Sequence, residues 1–290
     1  MEKVIKFLNT LFLTLILIIV VVPFVIVVMS SFSSEQSIMI NGCSLFPKEF
    51  SLSAYKYIFD NPWQLLNSYK TTIIVTLVGT FLSVFMQAGA AYPLSRRDFK
   101  WRRPLSIYIY ITMLFSGGII PTYILVSKYL HMKDTIWVLF VPILCGGFNI
   151  FLLRTFFQEL PPSLIEAAKL DGAHEYYIFF RIVLPLMTAG IATVTLTTVL
   201  GFWNNWFQSM LYISNDKIVT LQYLLMRMLN DVSFVAQASK MMGDANSVGA
   251  NSTVPLQMAT CVLAAGPMLF VFVFFQKYFI KGVTAGAVKE

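Results

Sequence analysis

Charge is scarce in this chain: Asp, Glu, Lys and Arg make up 12% of its 290 residues, against about 25% in soluble domains. With 57% of the residues hydrophobic, that much apolar surface cannot be hidden in one soluble core, so lipid must be the solvent. Cysteines number three; Cys145 and Cys261 fall in apolar stretches and Cys43 stands alone in a polar one. No C-x-x-C spacing occurs, so neither a metal site nor a disulfide framework is implied. The two histidines, His131 and His174, have no Cys, Asp or Glu arrangement suited to a metal or a catalytic triad. A G-x-x-x-x-G-K-[ST] phosphate loop is absent, so ATP is not expected to bind this chain. No filter-like sequence or charged ring argues for a channel. The net charge of +7 comes without the basic surface that nucleic-acid binding uses.

Six windows free of Asp, Glu, Lys and Arg reach a membrane-crossing length: 7–34, 71–95, 104–127, 135–153, 182–215 and 245–276. A helix crossing the hydrocarbon layer needs about 20 such residues at roughly 1.5 Å each. Only helices satisfy their own backbone within a single segment, so the expected fold is all-α and polytopic, with six transmembrane helices. The run after Lys3 and Lys6 is too long for a signal-peptide core and lacks a small-x-small cleavage site, so it reads as a retained first helix. By construction the six windows hold no carboxylate, the group a proton-coupled transporter normally needs. Sodium coupling through carbonyl oxygens stays open.

Orientation follows from the basic residues. The short loop Arg96-Arg97-Asp98-Phe99-Lys100-Trp101-Arg102-Arg103 places the helix 2–3 connection, and with it both termini, in the cytoplasm. Two segments are then outside. The first, about 31–69, reads as a folded lid with interfacial aromatics. The second, about 212–254, contains Leu221, Leu224, Leu225 and Leu229 at helical spacing, followed by a loop-like stretch over Met241–Thr253. The chain divides into 1–66, a first helix with its outside segment, and 67–290, a five-helix core.

Three motifs carry function. Ser163 with Glu166 reads as a capping box; Leu164, Ala167, Ala168 and Leu170 give a short helix with a small apolar face, and Gly172 permits the reversal after it. Such a helix suits either a groove on a partner or the lipid surface. In the fifth span, Trp203, Asn204, Asn205 and Gln208 set amides beside aromatics, with Asn204 and Gln208 on one helical face. Amides in hydrocarbon face a bundle or a cavity; amides bond hydroxyls and rings cover sugar C–H faces, while interhelical hydrogen bonding accounts for the same residues. Gly117, Gly118 and Pro121 suit a hinge or close packing, and Gly146-Gly147 is similar.

Glu166-Ala-Ala-Lys-Leu-Asp-Gly172, then Ile182-Val-Leu184-Pro185, has the spacing E-A-A, three residues, G, nine residues, I-x-L-P. It resembles the EAA loop of permease subunits in ATP-driven importers of the ABC type, with every motif position filled. The resemblance covers about residues 8–290 and implies a type I ABC importer transmembrane domain in a bacterial plasma (inner) membrane. It further implies that the coupling loop, about 159–184, is gripped by an ATPase through Glu166, Ala167, Ala168, Asp171 and Gly172, with Glu166 facing a basic residue of that subunit. Gln276-Lys-Tyr-Phe-Ile280-Lys-Gly-Val-Thr-Ala-Gly286 resembles the tail of the maltose-transporter-type subunit. That likeness implies that the cytoplasmic tail 277–290 reaches the ATPase through Gly282, Thr284 and Gly286, in an extended form that such residues suit; a frayed tail is the plainer alternative. The implied partners are a homologous second permease, an ABC ATPase dimer and an extracytoplasmic sugar-binding protein. The chain is then no enzyme and holds no cofactor, ATP and Mg belonging to the ATPase. Substrate would be a carbohydrate, as an oligosaccharide from a complex polysaccharide. The alternatives are another small solute such as glycerol phosphate, or an ATP-independent secondary sugar transporter.

Overall fold

A chain this apolar must pair every backbone N–H and C=O internally. The computed structural model describes residues 2–60, 62–241 and 253–287, and among these the backbone is helical, with no sheet and one isolated bridge, Ser33 to Phe50. In chain order the helices are α1 Glu2–Ser31, α2 Glu35–Asn41, α3 Ser53–Phe59, α4 Pro62–Ser95, α5 Arg102–Leu114 and α6 Ile119–Ile124. They continue with α7 Gly147–Gln158, α8 Pro162–Leu170, α9 Glu175–Tyr177, α10 Leu184–Leu186, α11 Thr188–Trp203, α12 Phe207–Tyr212, α13 Leu221–Met241 and α14 Thr253–Ala287.

Three stretches, Ile5–Ser31, Pro62–Ser95 and Val254–Val273, are long and apolar enough to cross a bilayer unbroken. Three more spans are bent pairs, which brings the candidates to six: Arg102–Leu114 with Ile119–Tyr129 at 110°, Ile136–Ile143 with Gly147–Gln158 at 54°, and Glu175–Leu186 with Thr188–Trp203 at 81°. Each break has a local cause. Gly118 sits at φ +84°, a conformation that excludes ordinary side chains. Pro142 removes a donor within the 3-10 turn Val141–Ile143; the carbonyl of Leu144, outside the helical ladder, accepts from Ser83 Oγ at 2.6 Å and Gln87 Nε2 at 2.8 Å. Pro185 has no N–H for the Arg181 carbonyl, and the chain answers with a π-helical turn, Ile178–Val183, before breaking at Met187.

Two compact units divide the chain: 1–66 with 224–267, and 67–223 with 268–290. In the first, α2 is capped by Ser34 Oγ, which accepts from the Ser37 amide at 3.2 Å. Phe32 stacks on both Phe50 and Tyr55, with centroids 5.7 and 5.0 Å apart, and Tyr55 pairs with Ser31 at 2.9 Å. The 31–60 segment is thus folded around aromatics. α13 buries Leu224 and Leu225 and extends further than the leucine spacing alone indicates; the loop expected over 242–252 lies outside the described residues.

The second unit has an apolar core in which Ala88, Ala91, Tyr92 and Leu94 of α4 pack with Ile150, Leu153 and Phe157 of α7, Ile165 and Ala168 of α8, and Ile178, Phe179 and Val183. Along α4 runs a buried polar seam, Ser68, Thr72, Thr76, Thr80, Ser83 and Gln87, spaced to share one helical face. Small hydroxyl residues let helices approach closely in lipid.

The tail departs from expectation. α14 continues as helix through Ala287, so Gly282, Thr284 and Gly286 lie in helical rather than extended backbone; what their side chains meet lies outside the described residues. Two isolated glycines cost a helix about 1 kcal/mol each, and no proline follows Pro267 to stop the ladder.

Candidate coupling surface and polar cluster

The first component is α8. Pro161 and Pro162 begin it, with Pro162 at the first helical position, where a missing N–H is harmless. This early start places Ser163 inside the helix, and no side chain caps it; the capping box between Ser163 and Glu166 does not form. The helix ends in a Schellman motif: the Ala173 amide donates to the Ala168 carbonyl at 2.9 Å and the Gly172 amide to the Lys169 carbonyl at 3.0 Å. Gly172 takes φ +79°, and a Cβ there would meet nothing within 4 Å.

Burial divides α8 into two faces. Ile165 and Ala168 point into the core, so Ala168, taken from the sequence as a partner-facing residue, packs inward and sets how closely α8 seats on its own protein. Glu166, Ala167, Asp171 and Gly172 are exposed, beside the open apolar side chains Leu164 and Leu170, the latter 89% exposed. Among the described residues Glu166 makes no ion pair. The outer face is therefore apolar with two carboxylates, Glu166 and Asp171, that make no ion pair among the described residues, a composition fitted to a basic, partly apolar groove.

The sequence reading missed what holds α8 in place. Lys169 Nζ lies 2.9 Å from Asp98 Oδ2 and 2.8 Å from Glu175 Oε1. Asp98 is gripped from the other side by Arg96, through Nε at 3.0 Å and an η-nitrogen at 2.8 Å. Tyr92 donates its hydroxyl to Glu175 Oε2 at 2.9 Å, and the Arg96 guanidinium stands 5.9 Å from the Tyr92 ring centre. Hydrogen bonds from Arg96, then from Lys169, hold the Asp98 carboxyl well below the ordinary carboxylate range. Bonding to Glu175, then to Asp98, raises Lys169 above the ordinary lysine range. Lys169, Asp98 and Glu175 are about half exposed, so each Lys169 pair is worth only about 0.2–1 kcal/mol; Arg96 is more buried. Beside the cluster lies a cleft of about 440 Å³ lined by aromatic side chains such as Phe85, Phe99, Tyr176 and Phe180, with Gly89 on its wall. The signal available in sequence was the mixed charge of the 96–103 loop, which reads as topology before it reads as contact.

The second component is the amide cluster. α11 ends at Trp203: the Asn204 amide makes the last ladder bond, to the Leu200 carbonyl at 3.1 Å, where its Nδ2 also donates at 3.0 Å, and the Asn205 amide then turns to the Phe202 carbonyl at 3.2 Å. Asn204 and Gln208 therefore do not share one helical face: a break separates α11 from α12. Asn205 is structural, donating to the Leu139 carbonyl at 3.2 Å and accepting from the Gln208 amide at 3.2 Å. Trp203 is buried. Asn204 is exposed, and Gln208 Oε1 is buried with no hydrogen-bond partner. Thr220 Oγ1 donates to the Asn205 carbonyl at 3.2 Å, and the Leu221 amide donates to Thr72 Oγ1 of the α4 seam at 2.8 Å. Among the described residues no group of His, Cys, Asp or Glu could hold a metal ion.

A six-span helical fold with an outward-facing E-A-A helix defines a class of membrane transport subunit. Residues 79–285 match the model of the binding-protein-dependent transport system inner membrane component, and the chain belongs to that family. It is 40% identical over 281 residues to the polygalacturonan/rhamnogalacturonan transport system permease protein YtcP of Bacillus subtilis, covering 96% of each chain. It is 38% identical to Protein LplC of the same organism, over 97% of this chain and 93% of that one. Its fold superposes with a TM-score of 0.78, at 26% identity, on a chain from the crystal structure of a bacterial ABC transporter involved in the import of the acidic polysaccharide alginate. That match covers 96% of this chain and 97% of the other. The protein is thus a permease component with several apolar helices in an inner membrane.

Proposed function

We infer that this chain forms half of the translocation pathway of an ATP-driven importer for oligosaccharides derived from a complex polysaccharide. A homologous permease forms the other half, an extracytoplasmic binding protein delivers the sugar, and a dimer of ATPase subunits hydrolyses ATP with Mg. This chain carries no cofactor of its own, and both termini lie in the cytoplasm. The observation that carries the reading is the outer face of α8, where Glu166 stands uncommitted beside Ala167, Leu164 and Leu170. An ATPase that closes on ATP supplies the differential binding energy of a two-state transporter, and a short helix seated by its own apolar face transmits that closure as a rigid body. Relatives named for polygalacturonan/rhamnogalacturonan and arabinooligosaccharide transport support the substrate class. Gln208 and Asn204 are the amides assigned to meet sugar hydroxyls: Gln208 Oε1 is buried without a hydrogen-bond partner, and the exposed Asn204 would exchange its bonds to the Leu200 carbonyl and from Gln222.

The test is to purify the chain with its copurifying subunits, reconstitute them in vesicles, and measure ATP-dependent uptake over a panel. The panel holds galacturonan-, rhamnogalacturonan-, arabinan- and alginate-derived oligosaccharides, with glycerol phosphate as contrast. Uptake without an ATPase in the preparation, or uptake of glycerol phosphate alone, would overturn the reading.

A further inference from the structure

We propose that Lys169 is a positioning residue for the coupling stroke, fastening α8 to the end of α4 so that force on α8 reaches the amide cluster along one rigid helix. This rests on α8 being the helix that the ATPase grips. Lys169 lies in the E-A-A segment, yet its ammonium is not offered to a partner: it is held between Asp98 and Glu175 at 2.9 and 2.8 Å. Asp98 belongs to the loop leaving α4, and Arg96, two residues away, binds it through two nitrogens. Glu175 opens the segment that follows Gly172 and takes the Tyr92 hydroxyl of α4. The Glu175 side of the α8 loop thus reaches the end of α4 through Tyr92 and, at 3.9 Å, Arg96, while the Lys169 ammonium ties α8 itself to both carboxylates.

From that end α4 runs unbroken to the amide cluster. Ser83 and Gln87 hold the Leu144 carbonyl, and Thr72 holds the Leu221 amide. The adjacent Thr220 bonds the carbonyl of Asn205. Thr72 and Ser95 are separated by about 35 Å of helix at roughly 1.5 Å per residue, and an α-helix does not stretch. Each step is a contact, so the clasp, the seam and the amide cluster form one contiguous network. Past the clasp, the π-turn Ile178–Val183 and the bend at Met187 make the other route out of α8 compliant. Without the clasp, motion of α8 is absorbed there.

The experiment uses the full reconstituted importer with Lys169→Gln, Lys169→Arg, Asp98→Asn and the double variant Lys169→Gln/Asp98→Asn. ATPase retention, uptake, and ATP hydrolysed per sugar moved are read for each. Lys169→Gln is expected to retain the ATPase while uptake per ATP falls by about five-fold or more, the scale of a coupling free energy between sites. Lys169→Arg should restore the ratio, and the double variant should lose no more than the worse single. A wild-type ratio in Lys169→Gln overturns the proposal, as does additive loss in the double variant. Release of the ATPase by Lys169→Gln, as expected of Glu166→Lys, overturns it by making Lys169 an interface residue. Absence of ATP-driven uptake in the wild-type complex overturns the assignment of α8 and this proposal together; each of the other outcomes strikes the proposal alone.

Discussion

Replacing Gly172 separates backbone strain from crowding, because its φ is +79° and a Cβ there points into open space. In the isolated chain any penalty therefore comes from the left-handed conformation alone. That penalty is about 1–2 kcal/mol for an ordinary L-residue, toward about 3 kcal/mol for a strained position carrying a branched side chain, and smaller for Asn, which tolerates the region. The strain falls on the two bonds closing α8, from Ala173 to the Ala168 carbonyl and from Gly172 to the Lys169 carbonyl. Hydrogen exchange at the Ala173 amide reads their opening directly. At about 1.4 kcal/mol per factor of ten, Gly172→Ala should speed exchange roughly ten-fold, Gly172→Val more and Gly172→Asn least. In the assembled importer all three should lose uptake in the same order, with Ala losing more than its strain accounts for if a partner surface closes over position 172. Equal exchange in Val and wild type would refute the positive-φ argument, and Asn as damaging as Val would refute the open space.

Three further outcomes are expected. Asn205→Ala strands the Leu139 carbonyl and the Gln208 amide and should cost about 1–3 kcal/mol in thermal or denaturant unfolding; Gln208→Met removes an unpartnered oxygen and should leave stability unchanged while lowering uptake. Acidification should loosen the α8 clasp: the Asp98 pKa is depressed in the folded chain, so its contribution is complete above the ordinary aspartate range and is lost as pH falls below it. Protection factors at amides 163–170, which remove the intrinsic pH dependence of exchange, should then be flat through neutral pH and fall only in acid. A thiol at Ser95→Cys should resist a membrane-impermeant reagent in intact cells while Cys43, which is exposed, reacts; labelling of Ser95→Cys from outside would reverse the proposed orientation.

The count of spans was legible because charge-free length is a property of single segments, and lipid permits few alternatives. Continuity of the spans was less legible. Gly118 and Pro185 are visible as possible breaks, but whether a helix yields depends on what takes up the freed carbonyl, as Ser83 and Gln87 do for Leu144. The E-A-A string identified α8, and yet its inner and outer faces needed the core contacts of Ile165 and Ala168. The Asn204–Gln208 spacing misled because it presumed a helix continuing past Asn204, where the Asn205 and Trp206 amides turn to nearer carbonyls. The Lys169 clasp joins residues 71 positions apart, a separation at which one sequence carries no pairing signal. The α4 seam, by contrast, was readable at its i, i+4 spacing and was overlooked among apolar neighbours.

That seam bears on how the protein is made. A helix with six buried polar side chains on one face can span lipid but gains from a protein neighbour, whereas α1 has no such buried seam along Ile5–Ser31 to satisfy. The partner of Ser83 and Gln87 is Leu144, some 60 residues later, and the partner of Thr72 is Leu221, 149 residues later. During synthesis, therefore, the seam of α4 can close only after most of the chain has emerged. The contacts that join the finished protein along α4 are thus among the last that the growing chain can make.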